Sequence, residues 1–111
     1  MKNHTKVYFD YFGFTPGDYV PCEISGTPCV DVSHNDPRGM GGRPKNSGDT
    51  PENLMGLSRV WHDFLEANPS YYWWFQLVHF QYMVTRKPYH ETECSINDPI
   101  FEEIVAKLKW K

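Results

Sequence analysis

The amino-acid sequence predicts a single α+β domain, in which two short strands and a helix form a core that further helices cover. Three observations support this fold class. Residues 29–34 alternate in polarity like a strand, a polar loop of about fifteen residues leads to a second short apolar segment, and helix-length amphipathic or apolar stretches follow residue 58. The length of 111 residues indicates one domain.

The two predicted strands lie on either side of the long loop. In CVDVSH, Val30 and Val32 share one face of the strand, and Asp31 and Ser33 share the other. The loop at residues 35–49 is rich in Gly, Pro, Asn and Ser, and loops of this length in small domains are usually functional or disordered. ENLMGLS predicts the second strand. The earlier aromatic segment KVYFDYFGF is compatible with a strand or a short helix, because its periodicity does not decide between them.

Three helices are predicted after the second strand. SRVWHDFLEANP predicts a helix that stops before Pro69, and Asn68 is expected to cap the next helix, PSYYWWFQLVHFQYMV. That helix is apolar on almost every side, which predicts a central place in the core. Asp98 is expected to cap the last helix. The apolar face of this helix consists of Ile100, Phe101, Ile104, Val105 and Leu108. The core then covers about residues 20–67, and the covering helices about residues 69–84 and 98–109.

Composition and charge limit the classes of function. The net charge of -3 gives no overall sign of a nucleic-acid-binding protein, although Arg38, Arg43 and Lys45 form a local basic patch in the long loop. No apolar run approaches the length of a membrane span. The opening residues lack the apolar segment of a secretory signal, so we expect an intracellular, cytoplasmic protein whose three cysteines are thiols.

A set of polar residues around the long loop indicates phosphodiester hydrolysis with one hard metal ion. His34 ends the first strand, Asn53 stands just before the second, and His62 lies in the following helix. A neutral imidazole takes a proton from water, and a divalent cation held by a second histidine neutralises charge on the phosphate. Glu66 lies four residues after His62, on the same helix face, where it is able to act as a second ligand. His4 and His90 have no supporting motif, and no role is assigned to them.

The segment PCEISGTPCVDVSHNDPRGMGG, together with ENLMGLSRVWH, resembles the small HNH endonucleases of the ββα-metal family, particularly the short versions carried by bacteriophages. The resemblance covers roughly residues 8–83. It implies that His34 is the general base, that Asn53 is the structural Asn and that His62 is a metal ligand. It also implies a ββα-metal core with additional C-terminal helices, a nucleic-acid partner such as DNA, and a host-cell cytoplasmic location if the chain is phage-encoded.

The sequence departs from the family pattern at three sites, one of which is Asn35, where an isoleucine usually follows the general base. Ser33 occupies the position of the other metal ligand, so Glu66 or Asp31 is expected to replace it, with Mg, Mn, Ni or Zn as the divalent cation. The four positions of the family's structural zinc are Cys22, Ser25, Ser58 and Trp61 here, and one cysteine cannot close a tetrahedral site. No structural zinc is therefore expected, and aromatic packing around Trp61 is expected to fill the space.

Two functions remain open from the sequence. The first is a metal-dependent HNH-type endonuclease, in which Arg38, Arg43 and Lys45 hold phosphate. The second is a catalytically inactive binding module that retains the fold. Such a module either binds nucleic acid without cutting it or binds and inhibits a host protein. The retained His34, Asn53 and His62 favour the enzyme. The acidic net charge and Ser33 favour the binding module.

Overall fold

The computed structural model describes residues 3–35 and 50–109, which form four α-helices and a two-stranded antiparallel sheet, so the predicted α+β class is confirmed. The elements are α1 (Asn3–Phe12), β1 (Asp31–His34), β2 (Leu54–Leu57), α2 (Arg59–Ala67), α3 (Tyr72–Thr85) and α4 (Pro99–Leu108). The aromatic segment KVYFDYFGF, which was compatible with a strand or a helix, therefore belongs mainly to the helix α1. Among the described helices, none has both the length and the apolar character needed to cross a bilayer.

The strands β1 and β2 pair directly, with His34 opposite Leu54 and Asp31 opposite Leu57. β2 is buried along its whole length, whereas β1 has buried Val32 and Ser33 between partly exposed ends. The predicted alternation therefore holds only in part. Val30, just before the strand, is exposed although it was expected to share a face with Val32, and Ser33 is buried although it was expected on the polar face. The pairing brings the end of β1 next to the start of β2, where the predicted site lies.

The helix ends show where the local signals of the sequence determine structure. Asp98 caps α4 as predicted, because its carboxylate accepts hydrogen bonds from the main-chain N–H groups of Ile100 and Phe101, at 2.9 and 3.2 Å. Asn68 does not cap α3. Its side-chain amide instead donates to the carbonyl of Phe64 at 3.0 Å, which closes the end of α2. A short 3-10 turn at Pro69–Tyr71 then separates the two helices.

The main core is a cluster of aromatic rings that joins α2, α3 and α4. The Trp61 ring is fully buried and lies 6.3 Å from the ring of Trp74 and 6.0 Å from the ring of Phe101. Cys22 belongs to the same cluster, so Trp61 packs in the region where the resemblance places zinc ligands. Aromatic rings bury much area per residue and offset-stacked pairs add to that gain, so this packing favours the folded state of a small domain.

Helix α3 is not enclosed by the core, contrary to the prediction from its composition. One face is buried, through Trp74, Phe75, Val78, His79 and Tyr82. The opposite face is exposed although it is apolar. A helix with apolar residues on every side has no periodic pattern that distinguishes its buried face from its exposed face. The prediction that α3 is central to the core was therefore wrong for its exposed face.

A buried polar network connects α1, β2 and α3 beneath the sheet. The Glu23 carboxylate accepts hydrogen bonds from the Tyr8 hydroxyl at 2.5 Å and from the Gly56 main-chain N–H at 3.2 Å. Its other oxygen lies 2.7 Å from Nδ1 of His79. Nε2 of His79 lies 2.6 Å from the carbonyl oxygen of Pro51, which only accepts, so Nε2 carries a proton and donates. Four hydrogen bonds therefore connect both carboxylate oxygens of Glu23 and both ring nitrogens of His79 to protein partners.

The Glu23–His79 pair shares one further proton between the carboxylate and Nδ1. Burial raises the pKa of Glu23, and the hydrogen bonds from His79 and Tyr8 oppose that rise only in part. Burial alone would lower the pKa of His79, but the hydrogen bond and the charge of Glu23 raise it above the ordinary value of 6.5. The folded pair therefore keeps its shared proton to a higher pH than a free histidine does. Its net charge is zero wherever the proton resides.

Candidate functional site

The residues predicted to act together lie around one open cleft of about 540 Å³ between β1 and α2. Asp31 and His34 reach the cleft from the two ends of β1, and His62 and Glu66 reach it from α2. The structure thus brings together four of the five predicted catalytic and metal-ligating side chains. Asn53, the fifth, is buried just before β2 and does not line the cleft.

The imidazole of His62 lies between two carboxylates, one at each ring nitrogen. Nδ1 lies 3.2 Å from Oδ2 of Asp31, and Nε2 lies 3.5 Å from Oε2 of Glu66. The buried Nδ1 makes no hydrogen bond of good alignment within the described residues. The helical spacing of four residues explains the contact with Glu66, while Asp31 approaches because β1 runs alongside α2. The two carboxylates approach opposite nitrogens, so an ion bound to one nitrogen takes only one of them as its neighbour.

Asp31 and Glu66 differ in what else surrounds them. The guanidinium of Arg59 lies 3.1 Å from the same Asp31 oxygen that faces His62, so a protein cation already neutralises this carboxylate. Glu66 has no such cation among the contacts of the described residues, and it forms a possible ligand cluster with His62 and Asp63 in which the ligand atoms lie within 4.8 Å of one another. Asp63 was missed by the sequence reasoning, because neighbouring helix positions usually point to different faces.

His34 has a second histidine beside it that sequence reasoning did not identify. The ring centroids of His4 and His34 are 4.9 Å apart, and both rings line the cleft. His4 comes from α1, which packs against both strands. No local motif predicts this neighbour, because the contact depends on how α1 packs on the sheet. Two adjacent imidazoles offer one group that accepts a proton and another that donates one or contacts an anion.

Main-chain hydrogen bonds hold the end of β1 in place. The N–H of Asn35 donates to the carbonyl of Asn53 at 2.9 Å, directly after His34, and the N–H of Asn53 donates to the carbonyl of Thr50 at 2.9 Å. The side chain of Asn35 lines the cleft and is 1% exposed. Neither its amide nitrogen nor its oxygen has a hydrogen-bond partner in the described part of the chain. A buried unpaired amide costs about 1–3 kcal/mol, so this side chain is suited to a ligand group.

Two further predictions concern residues beside the cleft. Ser33 is buried, and its hydroxyl lies 3.5 Å from the neighbouring carbonyl of His34. It therefore offers only a neutral oxygen at the position where the resemblance implies a metal ligand. Arg38, Arg43 and Lys45, the predicted phosphate-binding residues, lie outside the residues that the structure describes.

The arrangement combines a histidine at a strand end with a His–carboxylate pair on a helix, in a cleft open to solvent. Such a set is able to move a proton and to hold a divalent cation. Comparisons of the chain with protein-family models, with curated protein sequences and with solved structures found no match.

Proposed function

We propose that this chain is a metal-dependent endonuclease of HNH type, which hydrolyses phosphodiester bonds in nucleic acid, with DNA as the expected substrate. The observation that carries the proposal is the meeting of His34 from β1 with His62 and Glu66 from α2 in one cleft. The ββα order, β1 followed by β2 and α2, agrees with the core that the resemblance implies. The resemblance supplies the reaction and the roles of His34 and His62, and the structure adds that both line one cleft with Glu66.

Three residues around the end of β1 have a proposed role in the reaction. His34 accepts a proton from the attacking water, for which its place at the end of β1 next to the open cleft is suitable. The side-chain amide of Asn35 donates to a phosphate oxygen and thereby gains the partner that it lacks among the described residues. Asn53 acts through the main chain, because its carbonyl fixes the residue after His34.

The donors of His62 and Glu66, one imidazole nitrogen and one carboxylate, fit a divalent cation such as Mg²⁺, Mn²⁺, Ni²⁺ or Zn²⁺. Mg²⁺ commonly keeps several waters and takes only one or two carboxylates from the protein, so a site with few protein ligands is adequate. We assign Nε2 of His62 and the carboxylate of Glu66 as the ligands, since Arg59 already occupies Asp31. Asp31 lies 3.2 Å from Nδ1, where a small turn of the ring would align a hydrogen bond and let this carboxylate orient the imidazole, as outer carboxylates do at many metal sites. The bound ion would neutralise charge that develops on the phosphate and on the leaving oxygen.

Removal of the two carboxylates tests this assignment. Glu66→Gln is expected to weaken Mn²⁺ binding by more than about 100-fold, because a direct ligand is lost. Asp31→Asn is expected to weaken binding by about 10-fold, because only the orientation of His62 changes. Isothermal titration calorimetry with Mn²⁺ measures both affinities, and Glu102→Gln on α4 is a matched control. An Asp31→Asn effect larger than that of Glu66→Gln would place the ion at Nδ1 instead.

A second candidate is a binding module that holds nucleic acid without cutting it. The observation that favours it is the buried, neutral Ser33 at a ligand position, together with the neutralisation of Asp31 by Arg59. Both features reduce the number of charges available to a cation. In this case the cleft and the basic residues Arg38, Arg43 and Lys45 serve to bind phosphate, and the affinity falls steeply as salt rises.

Incubation of the purified chain with supercoiled plasmid separates the two candidates. The enzyme is expected to convert the plasmid to nicked circles with Mg²⁺ or Mn²⁺, and excess EDTA is expected to stop the reaction. Salt-sensitive binding of the same plasmid without nicking in any of Mg²⁺, Mn²⁺, Ni²⁺ and Zn²⁺ would support the binding module. Neither nicking nor binding would contradict both.

A further inference from the structure

Helix α3 exposes a continuous apolar surface. Its exposed residues are Tyr72, Trp73, Leu77, Phe80 and Val84, and all of them are apolar or aromatic. Leu77 is 59% exposed and Val84 is 85% exposed, so these side chains project well into solvent. The helix contains no Asp, Glu, Lys or Arg at any of its 14 positions. Surface helices normally carry charged residues on the solvent side, so this face is suited to contact with another surface.

Four of the exposed residues form a narrow stripe. Trp73, Leu77, Phe80 and Val84 are separated by four, three and four positions, which is the spacing of a coiled-coil seam. At about 100° per residue these side chains fall within about 60° of one another around the helix axis. The stripe runs along nearly the whole helix, on the side opposite the buried His79 and Tyr82.

We propose that this stripe, Trp73–Leu77–Phe80–Val84, binds the same stripe of a second copy of the chain, with the two α3 helices antiparallel about a two-fold axis. The proposal goes beyond the proposed function and does not depend on it. In this register Trp73 faces Val84 of the other copy, and Leu77 faces Phe80. Each facing pair matches a large ring with a smaller aliphatic group, as in well-packed helix pairs. One axis between residues 78 and 79 generates both pairs, so the stripe is complementary to itself.

The area of the stripe agrees with a reversible dimer. With about 150–250 Å² for each aromatic ring, and the exposed fractions of the four side chains, each copy exposes on the order of 400 Å² there. Two facing stripes therefore bury on the order of 800 Å² in total, which is below the ~1,200 Å² of standard specific interfaces and in the size range of weak, transient contacts. We therefore expect a dimer that dissociates on dilution. The absence of charged residues on α3 means that no like charges meet within the seam.

Analytical ultracentrifugation of the full chain between about 1 and 500 μM tests the proposal. The chain is expected to change from monomer to dimer across this range. Leu77→Lys alone and Phe80→Glu alone are each expected to weaken dimerisation by at least about 100-fold, because each places an unpaired charge in an apolar seam. The double variant Leu77→Lys/Phe80→Glu is expected to recover most of the affinity, since antiparallel pairing puts each lysine opposite a glutamate of the other copy.

The variants are expected to fold normally, because the replaced side chains lie on the surface and the hydrogen bonds of His79 with Glu23 on the other face of α3 are unchanged. Far-ultraviolet circular dichroism is expected to be unchanged. Ile96→Lys is the matched control, since Ile96 is 66% exposed outside α3 and its substitution should leave dimerisation as it is. A monomer at every concentration overturns the proposal. A dimer that Leu77→Lys does not weaken, or that the double variant does not restore, overturns the antiparallel arrangement.

Discussion

The variant His34→Ala is expected to nick supercoiled plasmid about 10²–10⁴-fold more slowly than the wild type at saturating Mn²⁺, which is the usual contribution of a general base. The expected loss is in the chemical step, because His34 lies at the end of β1 and is not among the proposed ligands His62 and Glu66. The Mn²⁺ affinity of the variant should therefore stay within about 3-fold of the wild-type value.

Two controls make this result specific to His34. His90→Ala removes a histidine outside the cleft and is expected to nick plasmid at the wild-type rate. The unfolding transition of His34→Ala should stay close to that of the wild type, because partly exposed side chains contribute little to stability. Wild-type nicking by His34→Ala, in a preparation free of contaminating nuclease, would remove His34 from the mechanism.

The variant Glu23→Leu is expected to lower the free energy of unfolding by about 3–5 kcal/mol, as is usual when a buried charged pair loses one member. Leucine leaves the Tyr8 hydroxyl, the Gly56 N–H and Nδ1 of His79 without their buried partner. Glu23→Gln is the matched comparison and is expected to cost about 1 kcal/mol or less at pH 9. Its oxygen accepts from Tyr8 and Gly56, while its amide donates to Nδ1 of a neutral His79.

The difference in stability between the wild type and Glu23→Gln is expected to depend on pH, with a sign that follows from the pKa of His79. Glu23 raises this pKa above 6.5 in the folded chain despite burial, so above pH 6.5 the unfolded chain has lost a proton that the folded chain still holds. Stability from this pair is thus fully present below pH 6.5 and is lost as pH rises through the folded pKa. In Glu23→Gln the buried His79 stays neutral and gives no such gain.

Urea unfolding of both proteins between pH 6 and 9 measures the effect. The stability advantage of the wild type over Glu23→Gln is expected to grow as the pH falls, with a slope of at most about 1.4 kcal/mol per pH unit. Use of the difference between the two proteins cancels the titration of groups that they share. A constant difference across this range would mean that His79 is not protonated through Glu23.

Local signals in the sequence were sufficient for most of the fold. The capping of α4 by Asp98 and the helical pairing of His62 with Glu66 depend on residues two to four positions apart, and both follow from backbone geometry alone. The strand end at His34 follows from the alternation of the segment and the start of the polar loop. These features were predicted because neighbours in the sequence determine them.

The missed features depend on tertiary contacts. Glu23 and His79 are 56 positions apart, and nothing near either residue indicates the other. His4 reaches His34 only because α1 packs on the sheet. Arg59 is an ordinary surface arginine in the sequence, but the structure shows that it neutralises Asp31 and so changes which carboxylate suits a cation. Pairing between distant polar residues leaves no periodic pattern that a single sequence displays.

Helix α3 is subject to two separate kinds of constraint, and this has a consequence for sequence drift. Its inner face carries the aromatic core and His79, while its outer face carries the proposed stripe. Charged substitutions should therefore be tolerated at few positions along α3. In α4, by contrast, the charged residues Glu102, Glu103 and Lys107 recur with the helical period on the exposed side. On the proposed dimer, inner changes are expected to be removed because they unfold the chain, and outer changes because they prevent two copies from associating. Selection for a stable monomer alone would leave the outer face free to become polar.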